Sequence, residues 1–189
     1  GESEGQTIAR ALRDTASPYL FIASVHGSPA SDQTLAGMLR GLAATGVAVL
    51  APKIVGVDQL VDHCGLALAP GGRLVFPLRG QSSTNPAYGA YGAISRNVAA
   101  VSPIAALVRV APLRAVGASD PSLDAVGILV SACLDLRARE FQIVADGGLQ
   151  VVLNGGPFSP GPAMESGGRD HLKLTRRHPT LFVGGDPYY

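Results

Sequence analysis

The stretch "YLFIASVHGSP", residues 19–29, places a largely apolar run directly before a small polar turn. Residues 19–25 are apolar and partly β-branched, which is typical of a buried strand. The run stops at His26-Gly27-Ser28-Pro29. Because α/β proteins commonly place their chemistry at the carboxyl end of a buried strand, this stretch predicts a strand that leads to a functional corner.

The segments on either side of this strand predict an alternation of helices and strands. A helix is expected over 6–16, with Ser3 and Gln6 spaced as a capping box in front of it. A second helix is expected over 33–45, and the apolar run 47–55 predicts a second strand. The order α-β-α-β favours an α/β fold with a mixed, mainly parallel sheet flanked by helices.

Turn residues and apolar runs predict the elements of the rest of the chain. The predicted elements are a small β-hairpin at 65–77, a loop at 79–95, an apolar segment at 98–110, a helix from 120 to about 139, and two strands within 141–153 joined at Asp146-Gly147-Gly148. We expect residues 1–156 to form the core. Residues 157–189 then form a Gly/Pro-rich linker and an extended C-terminal tail that packs on the core or on a partner.

The charge and cysteine content narrow the class of protein. Fifteen basic and fourteen acidic residues give a net charge of +1, which argues against a nucleic-acid partner. The longest apolar stretches are too short or too interrupted for a membrane span. Cys64 and Cys133 lie far apart without a C-x-x-C pattern, so we expect two buried free thiols in a reducing, cytoplasmic compartment. Only 15% of residues are charged, so part of the surface is expected to face a partner.

Five segments in a fixed order carry a family resemblance. They are "ARALRDTASPYLFIASVHGSP", "LAGMLRGLAATGVAVLAPKIV", "VDHCGLALAPGG", "SRNVAAVSPIAALVRVAPLRAVGASDPSL" and "VSACLDLRAREFQIV", and the terminal "DPYY" is similar to the start of a Tyr-Asn-Pro-Asn ending. Together they resemble the later part of a family-two glycosyltransferase of GT-A fold, of the bacterial surface-polysaccharide type. The resemblance implies sugar transfer from a nucleotide sugar. It also implies that the family's N-terminal nucleotide-binding half is missing from this chain.

The residues that the family uses for catalysis are replaced here. The resemblance places the metal-binding Asp-x-Asp motif at Ser24-Val25-His26, which contains no carboxylate, and the general base within the apolar stretch 128–131. Asp124 could serve as the base only if the alignment shifts by several residues. We therefore expect a domain with an impaired reaction and no cofactor, with Mn²⁺ or Mg²⁺ required only if the site is active.

Further residues are candidates for contacts with a saccharide or a phosphate. They are His63 of the His-x-Gly segment, Arg96, Asn97, Tyr88, Tyr91 and Asp120. Each also has a structural interpretation. His63 would be a hydrogen-bonded loop histidine, and Arg96 and Asn97 would end a strand. Tyr88 and Tyr91 would belong to a glycine-rich loop, and Asp120 would cap a helix.

Three hypotheses about function remain open. The first is a glycosyltransferase-family domain that is catalytically impaired and binds a nucleotide sugar or saccharide. The second is an active inverting transferase with an atypical metal or base site. The third is an assembly module that docks a second glycosyltransferase domain or another copy of this chain.

Overall fold

The computed structural model describes residues 1–87, 90–117 and 120–186. In chain order the elements are α1 (Glu4–Asp14), β1 (Tyr19–Ala23), β2 (Gly27–Pro29), α2 (Gln33–Leu42), β3 (Val47–Gly56), β4 (Val61–His63), β5 (Ala67–Leu68), β6 (Leu74–Val75), β7 (Ser95–Asn97), β8 (Ala105–Arg109), α3 (Val110–Ala115), α4 (Ala125–Arg137), β9 (Gln142–Leu153), α5 (Arg169–Arg177) and α6 (Pro179–Gly184).

The main sheet has the strand order β1-β8-β3-β9-β2, with β4 added to β3 and β7 added to β9. The mixed α/β class with flanking helices is confirmed. The expectation of a mainly parallel sheet is not confirmed. Within the described ranges only β3 and β9 pair in parallel, and the other pairs of this sheet are antiparallel. The difference arises because β8 inserts between β1 and β3 and runs antiparallel to both.

Helices cover both faces of this sheet. On one face, Met38 and Leu42 of α2 pack with Leu50 and Leu107 of the sheet. On the other face, α1, α3 and α4 contribute to the larger core. The predicted capping box of α1 is confirmed, since the Ser3 hydroxyl accepts from the Gln6 amide and the Gln6 side chain accepts from the Ser3 amide.

Two predicted boundaries in the second half are wrong. The helix expected from residue 120 begins at Ala125, because Asp124 rather than Asp120 caps it. The two strands expected within 141–153 are one strand, β9. Its pairing with β3 jumps between Asp146 and Gln150, so residues 147–149 bulge out of the ladder. A Cβ on Gly147 would lie 2.7 Å from the carbonyl carbon of Gly92, so glycine at this position lets the neighbouring loop approach closely.

The expected extended tail is also wrong for the residues that the structure describes. Residues 169–184 form α5 and α6, and Leu174 and Phe182 are buried in the larger core. The predicted hairpin is confirmed as β5 and β6. Phe182 packs on this hairpin at Gly72. The Nε2 atom of His171 lies 3.0 Å from the carbonyl oxygen of Gly71. Residues 187–189, most of the "DPYY" segment, lie outside the described residues.

The two cysteines are free and buried, as expected. Burial raises the pKa of the Cys133 thiol to about 12 and also raises the pKa of the Cys64 thiol. Within the part of the chain that the structure describes, every helix is too short or too polar to cross a bilayer.

The hairpin glycines provide a matched test of how α6 packs. Both have positive φ, but only at Gly72 would a Cβ overlap the Phe182 ring, whereas a Cβ on Gly71 meets nothing within 4 Å. We expect Gly72→Ala to lower the free energy of unfolding by about 3 kcal/mol and Gly71→Ala by about 1 kcal/mol, from overpacking and backbone strain respectively. Urea denaturation measures both values. Equal losses would contradict the packing of Phe182 on this hairpin.

Candidate functional site

A cleft of about 530 Å³ opens where β1 ends, and we call it the β1 cleft. Its walls come from the α1 start, the turn after β1, the α4 start and the segment after β9. The residues that line it include Glu2, Glu4, Ser24, Val25, His26, Ile104, Asp124, Val126, Phe158 and Pro160. The structure thus brings the predicted corner at 24–26 together with Asp124, although a hundred residues separate them in sequence.

The turn at 24–26 is held by its own polar groups. The Ser24 hydroxyl accepts from the His26 amide at 3.2 Å, and the Ser24 amide donates to the carbonyl of Ile104 at 3.0 Å. Val25 is 94% exposed, and His26 is exposed on the turn. One engaged hydroxyl and one imidazole do not match the oxygen-rich ligand set that Mg²⁺ or Mn²⁺ prefers. Across residues 1–87, 90–117 and 120–186, no group of three or more His, Cys, Asp or Glu side chains could hold a metal ion.

Asp124 reaches the cleft because it caps α4. Its Oδ1 accepts from the Gly127 amide at 2.7 Å, and its own amide donates to Oδ2 of Asp170 at 2.8 Å. Burial raises the pKa of the Asp124 carboxyl, and the nearby Asp170 carboxylate raises it further. By contrast, residues 128–131 are buried inside the helix and do not line the cleft. The residues at the start of α4 that line the cleft, from the cap Asp124 to Val126, therefore come before those that the resemblance indicates.

Asp120 lies outside the β1 cleft. Its Oδ1 accepts from both the amide and the hydroxyl of Ser122. These bonds lower the pKa of the Asp120 carboxyl. Asp120 therefore stabilises the turn before α4 and does not face the residues of the cleft.

His63 is buried behind the cleft instead of lining a surface groove. Its ring stacks on the Phe76 ring with 6.1 Å between the ring centroids. It meets the Phe158 ring edge-on with 5.4 Å between the centroids. Neither ring nitrogen has a hydrogen-bond partner among the described residues. Burial lowers the pKa of His63 to about 4. The negative charge of Asp62 raises this pKa, and the positive charge of Arg79 lowers it further. His63 is therefore a neutral imidazole near pH 7.

Tyr91, Arg96 and Asn97 meet at a smaller pocket of about 270 Å³, away from the β1 cleft. Arg96 donates to the carbonyl oxygens of Tyr91 and Cys64 at 2.8 and 2.7 Å, and its guanidinium carbon lies 4.9 Å from the centroid of the Tyr91 ring. Arg96 therefore holds the loop to the sheet. Tyr88 lies outside the described residues.

Sequence reasoning missed two buried residues, Lys53 and Phe158. Lys53 is 2% exposed and donates to the carbonyl oxygens of Ser83 and Gly92 at 2.9 and 2.8 Å. Burial lowers the pKa of this amine. Its signal was a lysine within the apolar run 47–55, where a charged residue needs buried partners. Phe158 had no such signal, because it lies in a Gly/Pro-rich segment that reads as a linker.

No family model matches this chain, and no curated protein matches it significantly. The glycosyltransferase resemblance therefore depends on the residues quoted above.

The buried imidazole predicts how stability depends on pH. The pKa of His63 is about 4 in the folded chain, and an unfolded histidine titrates near pH 6.5. Between these values the unfolded chain binds a proton that the folded chain does not, so stability falls as the pH is lowered from about 6.5 to about 4. We expect His63 to account for about 3 kcal/mol of that loss at most.

Urea denaturation at pH 7, 5.5 and 4 checks this expectation. A His63→Leu variant should lose less stability than the wild type over this range. The exposed His26 provides the control, since His26→Leu leaves His63 in place and should keep the wild-type pH dependence. Identical pH profiles for the wild type and His63→Leu would contradict the neutral, buried state of His63.

Proposed function

We propose that this chain is a glycosyltransferase-like domain that binds a neutral saccharide in the β1 cleft and is impaired in sugar transfer. The observation that carries the proposal is the charge of the cleft. Glu2, Glu4 and Asp124 line it, and none of its described lining residues is Lys or Arg, while Arg10 pairs with Glu2 at 3.1 Å from outside the lining. A nucleotide diphosphate needs cationic partners or a metal ion, whereas carboxylates readily accept hydrogen bonds from sugar hydroxyls.

The polar groups of the turn support the same ligand class. Ser24 and His26 can each donate and accept hydrogen bonds, which suits hydroxyl groups. Apolar surface from Ile104, Val126 and Phe158 lines the same cleft. A small number of polar groups on an apolar wall is the usual composition of a small-molecule site.

Calorimetry with two ligand classes tests this proposal. Neutral tetrasaccharides of glucose, galactose and N-acetylglucosamine should bind without added metal. UDP-glucose and GDP-mannose should show no binding at micromolar concentration, with or without Mn²⁺. Micromolar, metal-dependent binding of either nucleotide sugar would overturn the proposal of an impaired domain.

A pair of variants places the ligand in the cleft. Ser24→Arg puts a long side chain into the β1 cleft and should reduce saccharide affinity at least tenfold. Ser28→Arg places the same side chain on an exposed residue of β2 outside the cleft, at the cost of the Ser28 bond to Asn154, and should leave the affinity within about twofold because it occupies no ligand space. An equal loss in both variants would argue against binding in the cleft.

A second candidate function is an active inverting transfer with Asp124 as the general base. The specific observation in its favour is a cleft carboxyl whose pKa is raised by burial and by a neighbouring carboxylate, a combination often found at catalytic sites. Against it, Oδ1 of Asp124 is engaged as the cap of α4.

Donor turnover decides between the two functions. Under the leading proposal the wild type releases no sugar from UDP-glucose or GDP-mannose in the presence of Mn²⁺ and a tetrasaccharide acceptor. If Asp124 is a base, the wild type turns over and Asp124→Asn lowers the rate by a factor of about 10² to 10⁴. Asp120→Asn is the matched control, because that carboxylate lies outside the cleft and should not alter turnover.

A further inference from the structure

The buried side chain of His63 has unused hydrogen-bonding capacity. It is 2% exposed, and neither Nδ1 nor Nε2 has a partner within the described ranges. Buried polar atoms are nearly always satisfied, so an exception calls for a reason such as a ligand. By comparison, His171 is similarly buried but uses both ring nitrogens, with Nδ1 accepting from the Gly167 amide and Nε2 lying 3.0 Å from the carbonyl oxygen of Gly71.

One aromatic ring separates His63 from the β1 cleft. Phe158 lines the cleft, and on its other side it meets the imidazole edge-on at 5.4 Å. Phe76 stacks on the imidazole and also contacts Phe158, at 5.9 Å between ring centroids. Turning the Phe158 side chain away would thus remove the ring that lies against His63 at this wall of the cleft.

The backbone of Phe158 is held by polar contacts, whereas its side chain meets the rings of His63 and Phe76. Its amide donates to Oδ2 of Asp62 at 3.0 Å, and its carbonyl accepts from Nη2 of Arg79 at 2.9 Å. Arg79 and Asp62 also pair with each other at 2.8 Å. A rotation of the Phe158 side chain therefore requires no break in these polar contacts.

We propose that the Phe158 side chain is a gate between the β1 cleft and His63, and that the opened imidazole hydrogen-bonds a hydroxyl of a neutral pyranose ring. This inference rests on the proposed saccharide-binding function and names the ligand group and the residue that recognises it.

The side chains around His63 favour a neutral sugar over a charged ligand. A neutral imidazole has one N–H donor and one lone-pair acceptor, which complement a hydroxyl group. Burial keeps His63 neutral near pH 7, and the charged groups that face it, Asp62 and Arg79, already form a pair with each other. The ring of Phe76, which remains beside His63 when Phe158 turns away, offers apolar surface for the C–H face of a sugar. A fully charged ligand would find no unpaired opposite charge at this position among the described residues.

NMR of the histidine ring nitrogens tests the proposal directly. The full chain is labelled with ¹⁵N-histidine and titrated with the neutral tetrasaccharides used above, with a galacturonate tetramer as the charged comparison. We expect the ring ¹⁵N signals of His63 to move by several ppm with the neutral sugars and not with the galacturonate tetramer. The signals of His171 are the internal reference and should stay in place, since both of its nitrogens are already bonded.

Two kinds of variant test the role of Phe158 as a gate separately from the role of His63 in binding the sugar hydroxyl. His63→Leu keeps an apolar side chain in the core and should weaken tetrasaccharide binding at least tenfold. Phe158→Ala removes the gate and should leave binding equal to the wild type or up to tenfold tighter. Phe158→Leu, which retains more of the packing, serves if the alanine variant does not fold, and it should behave in the same direction.

The outcomes distinguish this inference from the function on which it rests. If tetrasaccharides bind and Ser24→Arg abolishes binding, yet His63→Leu binds normally and the His63 signals do not move, the inference is overturned and the proposed function stands. If no tetrasaccharide binds to the wild type or to either Phe158 variant, both are overturned.

Discussion

The parallel pairing of β3 with β9 is the interaction on which the rest of the structure depends. Every residue of β3 except the last is buried, and the strand also pairs with β8 and β4. Because β1 reaches the sheet only through β8, the position of the β1 cleft depends on this central strand. The same strand carries Lys53, whose buried ammonium group binds two carbonyl oxygens of the 82–92 segment. These two bonds hold Ser83 and Gly92 against the sheet and offset part of the cost of burying the amine.

Four separate segments meet at the β1 cleft, and polar contacts position three of them. The turn at 24–26 is closed by the Ser24 hydroxyl, and Asp124 is placed by the cap of α4. The segment after β9 is held at Phe158 by Asp62 and Arg79. The result is a cleft with carboxylate and apolar walls, a combination that suits hydroxyl-bearing ligands better than phosphates.

Local signals in the sequence predicted individual elements well. The capping box before α1, the apolar run of β3 and the Pro-Gly-Gly hairpin depend on neighbours within a few residues, so sequence reasoning identified all three. The mixed sheet was predicted, but its mainly parallel character was not confirmed, because the insertion of β8 between β1 and β3 depends on long-range packing. The predicted extended tail was wrong because α5 and α6 gain their stability by burying Leu174 and Phe182 against residues far away in the chain.

The sequence by itself determined which residues stand at the end of β1, that they include no carboxylate, and that a helix precedes each of the strands β1 and β3. These properties follow from residue type and short-range periodicity. Only the tertiary structure decided that Asp124 faces the same cleft as Ser24 and His26, and that His63 is buried behind Phe158. Those placements require strands and loops more than thirty residues apart to pack together, and burial against distant partners leaves no periodic signal in the chain.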